Sequence, residues 1–82
     1  MVTGTMKIHV EFAAVLDLKG VTNGAELDVP HGTTPADLLT TFHVRPEHQK
    51  YVTPFVNGTR MKLSHPLKEG DRLFLSLPVG GG

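Results

Sequence analysis

An α+β fold, with a mixed five-stranded sheet around one helix, is what this 82-residue sequence predicts. Three observations carry that expectation. Two alternating apolar–polar stretches stand in the first third of the chain. One short stretch in the middle has helix punctuation. An apolar run closes the chain just before a glycine tail.

The first stretch, "KIHVEF" over residues 7–12, alternates strictly: Ile8, Val10 and Phe12 on one side, Lys7, His9 and Glu11 on the other. Period two with one apolar side is the pattern of a half-buried strand. After the Gly- and Asn-containing residues 13–24, "AELDV" (25–29) alternates again, and Pro30 ends it. Together they read as a hairpin with a long loop.

Residues 33–42, "TTPADLLTTF", read as a short helix. Thr34 fits the N-cap, Pro35 the first helical position, and Asp37 the positive end of the helix dipole. Leu38, Leu39 and Phe42 then share one apolar stripe. Residues 43–51 are irregular, with room for one further turn. "VTPFVNG" (52–58) is a strand closed by an Asn-Gly turn, and Pro54, which lacks an N–H, must sit at its start or face away from a neighbour. "TRMKL" (59–63) is a short strand and "SHPLKEGD" (64–71) a loop with a structural "EGD" turn. "RLFLSL" (72–77) is the last strand, with Leu73, Leu75 and Leu77 inward and Phe74 and Ser76 outward. Five strands and one helix bury their apolar sides most simply as a β-grasp. The first and last strands are then adjacent, parallel and central, and Leu38, Leu39 and Phe42 pack on Ile8, Val10, Phe12, Leu27, Leu73 and Leu75.

Composition sets the bounds. The chain has 24 Leu, Ile, Val and Phe residues, enough for one core, and no cysteine, hence no disulfide, thiolate metal site or thiol nucleophile. The formal charge is zero, so no global attraction points to nucleic acid. Residues 1–37 carry Lys7 and Lys19 against five acids, and residues 38–82 carry six bases against three acids, an asymmetry that could orient a partner. "MVTGT" lacks the features of a secretory leader, and no run nears the ~20 apolar residues of a membrane span. A cytoplasmic protein with no membrane partner is the expectation. Residues 1–5 are expected to form a flexible extension, 6–77 the domain and 78–82 a flexible tail.

The β-β-α-β layout, "FVNG" before a short strand, "PLKEGD" before the last strand and "LPVGGG" after it together resemble the ubiquitin-like sulfur-carrier family. That family includes the small subunit of molybdopterin synthase and the thiamine-pathway sulfur carrier. The resemblance covers roughly residues 6–82, and the diglycine after a Pro-Val step is its most specific part. It implies that an adenylating enzyme joins the Gly82 carboxylate to AMP, using ATP, and that a sulfurtransferase step leaves a thiocarboxylate there. A synthase large subunit then takes up the tail, Val79, Gly80 and Gly81 included, and passes the sulfur to a small molecule. Molybdopterin, the organic part of the molybdenum cofactor, is the first pathway implied. Thiazole, cysteine or another sulfur metabolite is the alternative, and so is a ubiquitin-like modifier joined to a lysine through Gly82. In each case the chain is a protein substrate, not an enzyme, and holds no cofactor itself.

The tail's chemistry fits that role. An α-carboxyl titrates near about 3.5, so at neutral pH Gly82 offers an ionised oxygen to the α-phosphorus of ATP. Glycine has no Cβ and can thread a narrow channel. Fixing three glycines costs roughly 3–6 kcal/mol of backbone entropy, so a folded surface must dock first and offset it. Phe74 is the candidate docking residue, or else a lone exposed aromatic of little consequence. A glycine-rich end by itself is also what simple fraying looks like, and an interaction module with an inert tail follows from that reading. His9, His31, His43, His48 and His65 lack metal-ligand spacing, and no Ser-His-Asp, paired-carboxylate or phosphate-loop pattern occurs.

Overall fold

The computed structural model describes residues 4–13, 16, 18 and 20–77. Its strands are β1 (Thr5–Phe12), β2 (Ala25–Pro30), β3 (Thr53–Val56), β4 (Thr59–Arg60) and β5 (Arg72–Ser76), and its helices α1 (Pro35–Thr41) and α2 (Pro46–Gln49). The five strands form one mixed sheet in the order β2-β1-β5-β3-β4. β1 pairs antiparallel with β2, setting Ile8 opposite Leu27. It pairs parallel with β5, setting Val10 opposite Leu73 and Phe12 opposite Leu75. β3 lies antiparallel to both β5 and β4. The expected parallel pairing of first and last strands is therefore present, and β5 is the middle strand.

The alternation of β1 and β5 does what period two requires. Met6, Ile8, Val10, Leu73 and Leu75 are all buried and form one cluster with Leu38, Leu39 and Phe42. Removing each such side chain from water is worth about 1.5–3 kcal/mol. Phe12 and Leu27, expected in that core, are only partly buried against its rim. Leu18, Val52 and Leu67, from the connections, complete it instead.

Helix α1 starts where its punctuation places it. Thr34 Oγ1 accepts from Asp37 N at 3.2 Å and Asp37 Oδ2 accepts from Thr34 N at 3.0 Å, a reciprocal capping box. Leu63 O accepts from Ala36 N at 3.1 Å, so a distant loop satisfies a further first-turn donor. At the other end, His43 takes φ 67°. Its N–H donates to Thr40 O at 3.1 Å and that of Val44 to Leu39 O at 2.9 Å, the paired bonds of a Schellman close. A second helix of a single turn, α2, follows from Pro46, in the stretch where the sequence leaves room for one further turn. Gln49 Nε2 anchors it by donating to Thr40 Oγ1 at 2.9 Å and Val44 O at 3.0 Å.

Two boundaries differ from expectation. β1 reaches back to Thr5, which pairs with Pro30, and His31 N donates to Gly4 O at 2.7 Å. Residues 4 and 5 are thus tied to the sheet rather than loose, because β2 runs to Pro30 and its ladder needs a partner there; residues 1–3 lie outside the described residues. β4 stops at Arg60 instead of running to residue 63, since Leu63 O serves α1 and Lys62 O accepts from His65 N at 3.0 Å. Pro54 sits inside β3, buried, and meets its expectation by turning its missing N–H away from a paired neighbour. Its carbonyl accepts from Met61 N at 2.9 Å, so its missing N–H falls on the β4 side, beyond the two-residue pairing there. That is how a proline occupies a paired strand at no cost in ladder bonds.

Candidate docking face and the exit of the tail

β5 carries the chain to Leu77 at the end of the sheet where β1 also ends, since Ala13 N donates to Leu75 O at 2.9 Å. Val79, Gly80, Gly81 and Gly82 lie outside the described residues, so the fold defines where the tail departs and not its course.

The side chains of β5 that the core does not take point to the opposite side of the sheet. Phe74 is 39% exposed there, flanked in register by Glu11 on β1 and Phe55 on β3. Arg72 lies opposite His9. Together they line a shallow depression of about 650 Å³ with an apolar floor. Phe55 and Phe74 face each other across the two strands, and such aromatic pairs hold one another in place. His9 Nε2 lies 3.2 Å from Glu11 Oε2 on the same side. So Phe74 is not a lone aromatic: Phe55 stands beside it on one flank and Glu11 on the other, with Arg72 two residues back on the same strand. The sequence reading missed Phe55, His9, Glu11 and Arg72 as its neighbours. Their parity was visible, but the register that joins three strands was not.

Burying the remaining exposed part of Phe74 gives at most the about 1.5–3 kcal/mol of a whole large apolar side chain. Ordering three glycines costs roughly 3–6 kcal/mol. One exposed aromatic is therefore too little to offset that ordering by itself. Among the described residues no three His, Cys, Asp or Glu side chains gather as a metal would need, and no helix is long and apolar enough to cross a membrane.

No protein-family model matches this chain, and no curated protein sequence does either. Solved structures do. The solution structure of the Haloferax volcanii HVO 2177 protein is similar at a TM-score of 0.74 and 20% identity, covering 100% of this chain and 92% of that one. A Pyrococcus furiosus protein assigned as subunit 1 of a molybdopterin converting factor is similar at a TM-score of 0.65 and 28% identity, over 90% of this chain and 99% of that one. A ubiquitin from Caldiarchaeum subterraneum is similar at a TM-score of 0.59 and 19% identity, over 96% and 100%. The fold is that of the ubiquitin-like β-grasp proteins, and the structural neighbours bear out the resemblance to ubiquitin-like sulfur carriers.

Proposed function

We propose that this chain is a sulfur carrier, with Gly82 as the residue that reacts. Its carboxylate oxygen attacks the α-phosphorus of ATP in a partner enzyme, pyrophosphate leaves, and a sulfur nucleophile then displaces AMP to give a thiocarboxylate. A synthase takes up the loaded tail and transfers the sulfur, in molybdopterin formation as first choice. The observation that carries this reading is the likeness to the converting-factor subunit, 28% identical along 90% of the chain, joined to a central last strand that leads straight into "LPVGGG". In this reading the Phe55–Phe74 face docks first and holds the domain while the glycines enter the nucleotide site.

Pyrophosphate exchange with the cognate adenylating enzyme tests the first step. The full-length chain supports exchange, and the chain lacking Gly81 and Gly82 does not, while both melt at the same temperature. If the truncated chain supports exchange at the full-length rate, the carrier mechanism is wrong. The intact mass of protein from its native cell tests the second step, through replacement of one terminal oxygen by sulfur. Adducts on lysines of other proteins would mark the same activated carboxylate as that of a ubiquitin-like modifier.

A further inference from the structure

β2 is an edge strand with a free side. The even residues of β1 face β2, because its odd residues face β5: His9 N donates to Asp71 O at 2.9 Å and Lys7 O accepts from Gly70 N at 2.8 Å. In register, Leu27 and Val29 then turn their backbone groups toward β1, and Glu26 and Asp28 turn theirs outward. Among the described residues nothing bonds to those outward groups. Pro30 closes the free stretch: it has no N–H, and its carbonyl already accepts from Thr33 Oγ1 at 2.6 Å. Two N–H donors and two carbonyl acceptors are left as a template for one short added strand.

Beside this edge, between β2 and α1, runs a groove of about 540 Å³. Leu27, Val29, Leu38 and Phe42 supply its apolar wall, and Asp37, His31 and Thr41 stand at its rim. A strand added to β2 would send alternate side chains into this groove. The others would lie on the far side of the sheet, opposite Glu26 and Asp28. Among the described residues Lys7 Nζ is 3.2 Å from Asp28 Oδ1 with both side chains well exposed, a pair that neutralises little, and Arg72 lines a small hollow together with Glu26.

These features select the occupant. The backbone edge requires an extended segment, the groove requires apolar residues at every second position, and Glu26 and Asp28 require cations at the positions between. A second copy pairing its own β2 here is disfavoured, because each antiparallel register centred within the free stretch, residues 26–28, sets Glu26 or Asp28 against another acid. We propose that the β2 edge and its groove bind an extended protein segment in which basic and apolar residues alternate, added to the sheet as a sixth strand. The site lies on the opposite edge from β4, two strands away from β5, and does not depend on the fate of the tail.

The probe is a synthetic peptide of alternating lysine and valine, about eight residues, near a usual strand length. Titrated into the unmodified isotope-labelled chain at low salt, it is expected to shift amide resonances of residues 26–29 and of Thr41 and Phe42. A glutamate–valine peptide, which offers the same apolar side chains, is expected not to bind. The double variant Glu26→Lys/Asp28→Lys should reverse that preference. Asp28→Ala and Asp28→Pro both lose the carboxylate, but only proline also loses the outward N–H, so Asp28→Pro should bind about fivefold more weakly than Asp28→Ala. Four results would overturn the proposal: no binding of the lysine peptide, equal binding of the glutamate peptide, shifts confined to Phe55 and Phe74, or peptide-independent self-association through this edge.

Discussion

Asn57 and Asp71 hold each other across the gap between the β3–β4 turn and the start of β5: Asn57 Nδ2 donates to Asp71 Oδ1 at 3.0 Å. The same amide works in both directions, since Asn57 Oδ1 accepts from Arg72 N at 3.0 Å. Asp71 is only 8% exposed, and its other oxygen accepts from Lys68 N at 2.8 Å. Asn57 also sits at φ 52° and Gly58 at φ 85°, the double positive-φ geometry of a two-residue hairpin turn. Asn57→Gly keeps that geometry and removes both side-chain bonds, so it should cost about 1–3 kcal/mol. Asn57→Ala should cost roughly 1 kcal/mol more, because a Cβ is strained at that φ. Urea unfolding of the two variants separates the contributions. A glycine variant as stable as the parent would show that the bonds contribute nothing.

Among the described residues His43 is the other non-glycine with positive φ, at 67°, and it closes α1 where glycine is usual. His43→Gly should raise stability by about 0.5–1 kcal/mol, the relieved strain exceeding the added freedom of the unfolded chain. Thermal melts that show a loss would mean that the imidazole makes a compensating contact.

Leu75 and Phe74 are neighbours in sequence with opposite tasks. Leu75 is fully buried in the middle strand, so Leu75→Ala should cost about 2–5 kcal/mol. Phe74→Ala should cost about 1 kcal/mol or less and weaken binding to the activating enzyme. Melting curves and binding measured on the same two proteins decide this. The reverse order would mean that β5 faces the other way.

For the tail, one further residue with a bulky side chain after Gly82 should abolish adenylation, as it moves the carboxylate and obstructs a glycine-sized channel. Gly80→Ala should be tolerated, being a small residue further from the reacting carbon. Initial rates of pyrophosphate exchange report both, and a Gly80→Ala chain as inactive as the extended one would place the narrowest part of the channel at residue 80.

Much of the framework was legible because local rules and the tertiary structure agree. Ile8 and Val10 alternate with Lys7 and His9, Thr34 and Pro35 start a helix, and Asn57-Gly58 makes a hairpin. What escaped depends on contacts between segments distant in the chain. β4 is cut short because the Leu63 carbonyl is drawn to α1. The Schellman close at His43 uses a residue type that does not announce it. Phe55 joins Phe74 only through the β3–β5 register. The free edge of β2 follows from β1 having β5 as its other neighbour, which no window of sequence reveals.

The place of β5 has a further consequence. The last strand made is the one that joins both halves of the sheet, and Lys7 N donates to the Glu69 carboxylate from 62 positions away. Contacts of such separation bear the full entropy of closing the chain and form slowly. Without Arg72–Ser76 nothing joins β1–β2 to β3–β4 in the sheet, and neither pair of strands is stable on its own. The domain gains its cooperativity only when Arg72–Ser76 has emerged. The face that carries Phe55 and Phe74 is thus assembled only on chains already made through β5.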